Sequence, residues 1–237
     1  MTRIVFVHGS VVNGRATWAA QRPLAERFEL VVLDRPGFPP NPPADRVDFE
    51  ADAILVAELL EPGDHLVGHS YGGVIALLAA ASRPELLRSL TVIEPPATRV
   101  AAGDPTVDLF AEGGRALCKS GAMSDPEVLL RSFLRAVGSR IDLPSPLPLD
   151  LAQGAQALTV ERGPWEAEIP LDALAAAPFS KLVVSGAHHP AFDAICDVLE
   201  RELPAERAVL PGFGHVAQLH PEFNRLLASF VERAGSS

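Results

Sequence analysis

The chain has 237 residues, 48% of them apolar and 21% charged, with a formal net charge of −10. That length fits one α/β domain with room for an insertion, and the composition excludes a disordered chain. The acidic balance and the lack of a basic cluster exclude nucleic acid as a partner, and no apolar run is long enough to span a membrane. Taken in order, Thr2 to Val7 is a continuous β-branched and aromatic run suited to a strand buried on both faces. It ends in His8-Gly9-Ser10. Ala16 to Arg27 has helical spacing, and Glu29 to Leu33 reads as a second strand that stops at Asp34-Arg35-Pro36-Gly37. Val47 to Leu60 is an amphipathic helix, closed by Pro62-Gly63. A third strand, Asp64 to Val67, passes through Gly68-His69-Ser70-Tyr71-Gly72-Gly73 into a helix that runs to Ser82. Leu86 to Ile93 is a fourth strand, ending at Glu94-Pro95-Pro96.

Alternation of strand and helix then stops. Residues 97–178 read as helix and loop, with helices over Val107 to Lys119, Pro126 to Val137 and Leu151 to Glu161. Alternation resumes with a strand over Lys181 to Ser185, a helix over Ala191 to Glu200, a strand over Arg207 to Leu210, and a last helix over Pro221 to Arg233. The pattern predicts a parallel sheet of about six strands with helices on both faces. Residues 1–96 and 179–237 would form this core, and 97–178 a small helical cap inserted after the strand ending at Glu94. Two cysteines, Cys118 and Cys196, are too few and too far apart for a disulfide framework, so a reducing compartment is expected. No charged segment followed by an apolar one precedes the first strand, so no signal peptide is expected and the location is read as cytoplasmic.

The chemistry centres on Ser70. A strand that becomes a helix within a few residues must bend sharply. Glycines at 68 and 72 remove the side chains that would clash there. The apex residue is thrust out at a helix N-terminus, whose dipole favours developing negative charge. In an open parallel sheet, ligands bind above the carboxyl ends of the strands. His8, Ser70, Glu94, His188, His189 and His215 all follow predicted strands and therefore share that edge. A serine needs a base, and His215, in a glycine-flanked loop after the last strand, is the candidate. The oxyanion would be met by the backbone N–H of Tyr71 and by that of Ser10 or Val11, in the loop that Gly9 lets curl inward. His8 and His69 read as structural.

These motifs, His8-Gly9, Asp34-Arg35-Pro36-Gly37, Gly68 to Gly73 and Gly214-His215 in this order, resemble the α/β-hydrolase superfamily over essentially the whole chain. The resemblance implies that the insertion is a lid over the pocket. It also implies a cofactor-free enzyme of the kind that includes esterases, lactonases, C–C bond hydrolases and a few lyases. The family's usual acid follows the strand before the last, in a Gly-x-x-Asp turn. Here that turn is Gly186-Ala187-His188-His189, and an imidazole cannot supply the fixed negative charge an imidazolium needs. Glu94 is the first substitute, Asp193 the second, and a bare Ser–His dyad the third. His188 and His189 would bind substrate or give a proton. The cap would add Leu109, Phe110, Leu130, Phe133 and Trp165, either to an apolar pocket or to its own core. Asp34 and Arg35 are expected to pair. Adjacent histidines rarely converge on one ion, so no metal is expected. The reading is a serine hydrolase of a small-molecule ester, thioester or lactone. A lyase, eliminase or C–C bond hydrolase using Ser70 and His215 for proton transfer is the first alternative, and a non-catalytic binding protein the second.

Overall fold

The computed structural model describes residues 1–139 and 141–235; Ser236 and Ser237, at the end of the expected second core segment, lie outside them. Six parallel strands form one sheet: β1 (Arg3–Val7), β2 (Glu29–Leu33), β3 (Asp64–His69), β4 (Leu87–Ile93), β5 (Ser180–Ser185) and β6 (Glu206–Val209). Their order across the sheet is β2-β1-β3-β4-β5-β6. Chain reversal therefore happens at β1, and β3 lies beside it near the centre. The apolar runs of β1 and β3 are buried on both faces, as a central parallel strand requires. β2 is half exposed because it forms an edge.

Helices α2 (Phe49–Leu59), α3 (Tyr71–Ser82) and α8 (Pro190–Glu202) cover one face of the sheet, with Val56, Ile75, Leu77 and Ile195 in that core. Helix α9 (Phe223–Gly235) covers the other face, where Phe6, Trp18, Leu182 and Phe230 meet. α3 is nearly all buried, so it shows no polar stripe; Gly72 in its first turn lets the helix lie against the end of β1. Capping matches the local sequence. Asp48 accepts the N–H groups of Glu50 and Ala51 at the start of α2.

Residues 16–27 are not the single helix expected. A one-turn helix α1 (Gly14–Thr17) is followed by 3-10 structure over Ala19–Glu26. Pro23 lies inside that segment and removes an amide an α-helix would need. The stretch between β4 and β5 is helical, with α4 (Pro105–Cys118), α5 (Pro126–Ala136), α6 (Leu149–Thr159) and a short α7 (Leu171–Ala176). α4 and α5 each start on an Asp N-cap followed by Pro at the first helical position. Leu129, Leu130, Ala155 and Leu158 of this insertion close over Val11. The segment also touches the core as strand. Val47 and Glu161 form an isolated parallel bridge, with Val47 N–H to the Val160 carbonyl at 3.1 Å and Arg162 N–H to the Val47 carbonyl at 2.8 Å.

Candidate active site

Between β3 and α3 a single residue, Ser70, makes the bend, at φ 54° and ψ −125°. A side-chain-bearing residue seldom adopts that conformation, so the surroundings must hold it. Its N–H donates to the Ile93 carbonyl at 2.8 Å, which ties the bend to the end of β4. A Cβ on Gly68 would lie 2.3 Å from the Gly72 carbonyl oxygen, and one on Gly72 would lie 2.4 Å from the carbonyl oxygens of Val7 and His8. Both glycines are there for close backbone approach. Five non-glycine residues among those described have positive φ, and four of them are Val11, Ser70, Glu94 and Ala187. All four follow the carboxyl ends of strands, so the strain is concentrated on one sheet edge.

His215 reaches this edge from the loop after β6. Its Nε2 lies 2.8 Å from Ser70 Oγ, and its Nδ1 lies 2.8 Å from Glu94 Oε2. An ionised carboxylate only accepts, so the Nδ1 proton points to Glu94 and Nε2 is left to accept from the serine. Glu94 is fully buried. Burial alone would raise its pKa, but hydrogen bonds from His188, His215 and the Gly186 N–H, with the His215 charge, bring it down to about 2. Glu94 Oε1 accepts from Gly186 N–H at 2.6 Å and faces His188 Nδ1 at 3.2 Å. Asp193 stays in the first turn of α8. Of the two carboxylates considered, Glu94 is the one on His215.

The loop after β1 passes against the bend. A Cβ on Gly9 would lie 2.9 Å from the Ser70 Cβ. Val11 turns this loop at φ 78°, with Val12 N–H on the Ser10 carbonyl at 3.0 Å. Ser10, Ser70 and Tyr71 line the cavity described below; Val11 packs instead beneath the insertion. The Tyr71 amide opens α3, where a helix has no carbonyl of its own to offer. His8 braces this loop: Nε2 accepts the Arg35 N–H at 3.0 Å and Nδ1 meets the Gly9 carbonyl at 2.8 Å. Burial and the Arg35 charge hold His8 well below its ordinary pKa. His69 Nε2 meets the His215 carbonyl at 2.8 Å, and burial with the His215 charge lowers its pKa to about 3. Both rings are neutral braces of the backbone around Ser70.

A cavity of about 610 Å³ opens above Ser70 between the sheet edge and the insertion, walled mainly by apolar side chains. Leu109, Phe110, Phe133, Trp165 and His189 line it; Leu130 is buried within the insertion and does not. His189 also caps α8, its Nδ1 accepting the Ala191 N–H at 3.2 Å. His188 does not line the cavity; it is turned to Glu94 and to the Val137 carbonyl. Phe192 was not anticipated, yet it lines the cavity and lies 4.5 Å from the His215 ring, centroid to centroid. Its place in the first turn of α8, just after the end of β5, was the available signal.

A second polar group, also unforeseen, lies behind the Ser10 loop. Arg35 does not pair with Asp34, which instead accepts the Gly14 N–H at 2.8 Å. The Arg35 side chain is fully buried between the Phe38 and Tyr71 rings, and its Nε donates to Asp52 at 2.7 Å. The turn after β2 aims Arg35 inward and Asp34 back at α1, so two sequence neighbours face different partners. Glu161 Oε1 accepts from Ser10 Oγ at 2.5 Å, and its Oε2 stands 3.6 Å from Arg35 Nη2. Burial raises the Glu161 pKa to about 7 despite the arginine. Among the described residues, Glu94, His188 and His215 form the one His–carboxylate group compact enough for a metal ion, their nearest atoms within 4.8 Å. Those atoms are spent on hydrogen bonds to one another, to Ser70 and to Val137.

Comparison with known proteins agrees with this fold. Over 93 residues the chain is 38% identical to a pimeloyl-[acyl-carrier protein] methyl ester esterase of Aeromonas hydrophila, a match covering 38% of this chain. The chain spans 36% of that relative's length. Among solved structures, NosK from Streptomyces actuosus superposes with a TM-score of 0.68 at 24% identity, covering 98% of each chain. MenH from S. aureus gives a TM-score of 0.74 at 16% identity, covering 98% of this chain and 94% of the other. These two are likenesses of fold. No described helix is long and apolar enough to cross a membrane. A model of the alpha/beta hydrolase family matches residues 4–223, and with the parallel sheet and the strained serine between β3 and α3, the chain belongs to the alpha/beta hydrolase family.

Proposed function

We propose that this protein hydrolyses a small ester, thioester or lactone through an acyl-enzyme on Ser70. One observation carries the reading: Ser70 Oγ, His215 and Glu94 stand in a chain of two 2.8 Å hydrogen bonds, and Ser70 at its head lines an apolar cavity. Ser70 Oγ attacks the carbonyl carbon as His215 Nε2 takes its proton. The Tyr71 amide and the amide of Ser10 stabilise the oxyanion. His215 then gives that proton to the departing alkoxide or thiolate. In the second half, His215 takes a proton from water, whose oxygen attacks the acyl carbon. The tetrahedral intermediate collapses, Ser70 recovers its proton from His215, and the acid leaves. Glu94, buried and ionised, stabilises the imidazolium formed in both halves.

The insertion is the cap of this enzyme, and its apolar side chains hold the acyl or alkyl group. The esterase activity in the names of relatives supports this reaction class. A lyase drew its strength from the missing acid at His189; with Glu94 on His215, that reason weakens. The test is hydrolysis of a 4-nitrophenyl acyl ester by the wild-type protein and by Ser70→Ala, with fluorophosphonate labelling followed by mass spectrometry. A rate loss of at least about 10³-fold and an adduct on Ser70 are expected. Full ester hydrolysis by Ser70→Ala would end the proposal.

A further inference from the structure

His188 lies within reach of the acid Glu94 but outside the cavity, and its two ring nitrogens both face acceptors. Nδ1 is 3.2 Å from Glu94 Oε1, and Nε2 is 3.0 Å from the Val137 carbonyl oxygen. A carbonyl oxygen cannot donate. Neither can Glu94: its Oε1 already accepts the Gly186 N–H at 2.6 Å and its Oε2 accepts from His215. A neutral histidine carries one ring proton and would turn a lone pair toward one of these oxygens. Only the doubly protonated ring satisfies both.

We propose that His188 is a positively charged positioning residue that shares the Glu94 carboxylate with His215 and ties Glu94 to the end of α5. This rests on the Ser70–His215–Glu94 reading above. The ring is fixed in that place by stacking on Phe192, with centroids 5.7 Å apart and planes 21° from parallel. Gly138 passes close by, where a Cβ would lie 3.1 Å from His188 Cδ2. The groups that face it are Glu94 from the end of β4, His215 from the loop after β6 at 5.7 Å between centroids, His189 at the N-cap of α8 at 6.1 Å, and Asp193 from the first turn of α8. Helix α5 contributes the carbonyl of Val137, its C-cap residue. Burial would lower the His188 pKa, but the hydrogen bond and charge of Glu94 and the Val137 carbonyl outweigh it, and the net shift is upward.

The consequence is electrostatic. One carboxylate serves two rings. While His188 is charged, the Glu94 carboxylate is divided between a cation at 188 and the Nδ1 proton of His215. The bond to Val137 adds a mechanical link, since the same ring that loads the acid holds the end of α5.

The experiment is a pH series of ¹⁵N-histidine ring spectra on the full chain. In the Ser70→Ala protein at pH 6, both His188 nitrogens are expected to carry protons; a neutral ring there overturns the proposal. In His188→Gln, which can keep one N–H on Glu94 but brings no charge, the His215 Nδ1 proton resonance is expected to move downfield, because the carboxylate it faces is no longer shared with a cation. A merely structural role for His188 would leave that resonance where it is, and an unmoved or upfield-shifted resonance overturns the proposal. Should His188→Gln fail to fold, the His188 spectrum of the Ser70→Ala protein decides. Because the spectra require no turnover, a protein that cleaves no ester would refute the hydrolase reading and leave this result legible.

Discussion

Glu94 has a backbone φ of 45° and no solvent exposure, a costly arrangement for a charged residue unless its partners hold it. Three donors do so: the Gly186 amide, His215 and His188. Replacing it by Gln keeps the shape but removes the charge that stabilises the His215 imidazolium, and offers Nδ1 an amide in either orientation. We expect Glu94→Gln to lower kcat on a 4-nitrophenyl ester by about 10²- to 10⁴-fold with KM changed much less, and Asp193→Asn to stay within about twofold. A large loss in Asp193→Asn with little in Glu94→Gln would reverse the assignment. Ser70 was legible because Gly-x-Ser-x-Gly between an apolar run and a helix has one steric solution. Glu94 was legible only as one of several candidates. A sequence places it at a strand end; whether its carboxylate meets His215 depends on β4 lying between β3 and β5, a fact of sheet order. The turn at His188 and His189 read as the place of a lost acid, and nothing in two adjacent histidines signals that one faces Glu94 while the other caps α8.

At the scale of elements, the alternating pattern outlined the sheet because a buried parallel strand must be apolar throughout. The amphipathic insertion helices were legible for a similar reason, since each has one face to bury. Residues 16–27 misled because their apolar spacing also suits 3-10 structure bearing a proline. The crossing of α6 over the Ser10 loop left no local signal. It depends on Gly154, where a Cβ would lie 1.7 Å from the Val11 carbonyl oxygen. Just past α6, Glu161 inserts a buried carboxyl beside Arg35 and Asp52, giving two acids to one base. Its pKa is raised from 4.5 to about 7, with burial the leading cause. The folded state therefore binds more protons than the unfolded chain between those values. The contribution is fully present below pH 4.5 and is lost as pH rises through about 7, up to about 3 kcal/mol. Urea unfolding at pH 5 and pH 8 should show the wild-type protein losing more stability across that interval than Glu161→Gln. Equal losses would mean that Glu161 titrates alike in the folded and unfolded chains.

For the molecule as a whole, the cavity belongs to neither part alone. The sheet edge provides Ser70, Tyr71 and Ser10, while α4 and α5 and the return through Trp165 provide the walls. Its existence could be argued from the sequence, its size could not, because volume depends on how far the helices stand from the edge. Trp165 sets one boundary. It lies where a Cβ on Gly114 would be 2.4 Å from its Cζ3 and one on Gly163 would be 2.1 Å from its Cζ2, so the indole fills the space two glycines leave. An apolar wall rewards each methylene it removes from water by about 0.8 kcal/mol, or roughly fourfold in kcat/KM if the gain is kept in the transition state. For 4-nitrophenyl esters of increasing acyl length, kcat/KM should climb at about that rate and then level or fall once the cavity of about 610 Å³ is filled. Trp165→Ala should shift the turning point to longer chains while leaving the shortest ester within about threefold, because Ser70, His215 and Glu94 do not depend on the indole. A flat dependence on chain length would mean that the acyl group lies outside this cavity. An unchanged turning point in Trp165→Ala would place the limiting wall elsewhere, with Phe110 and Phe133 the next side chains to shorten.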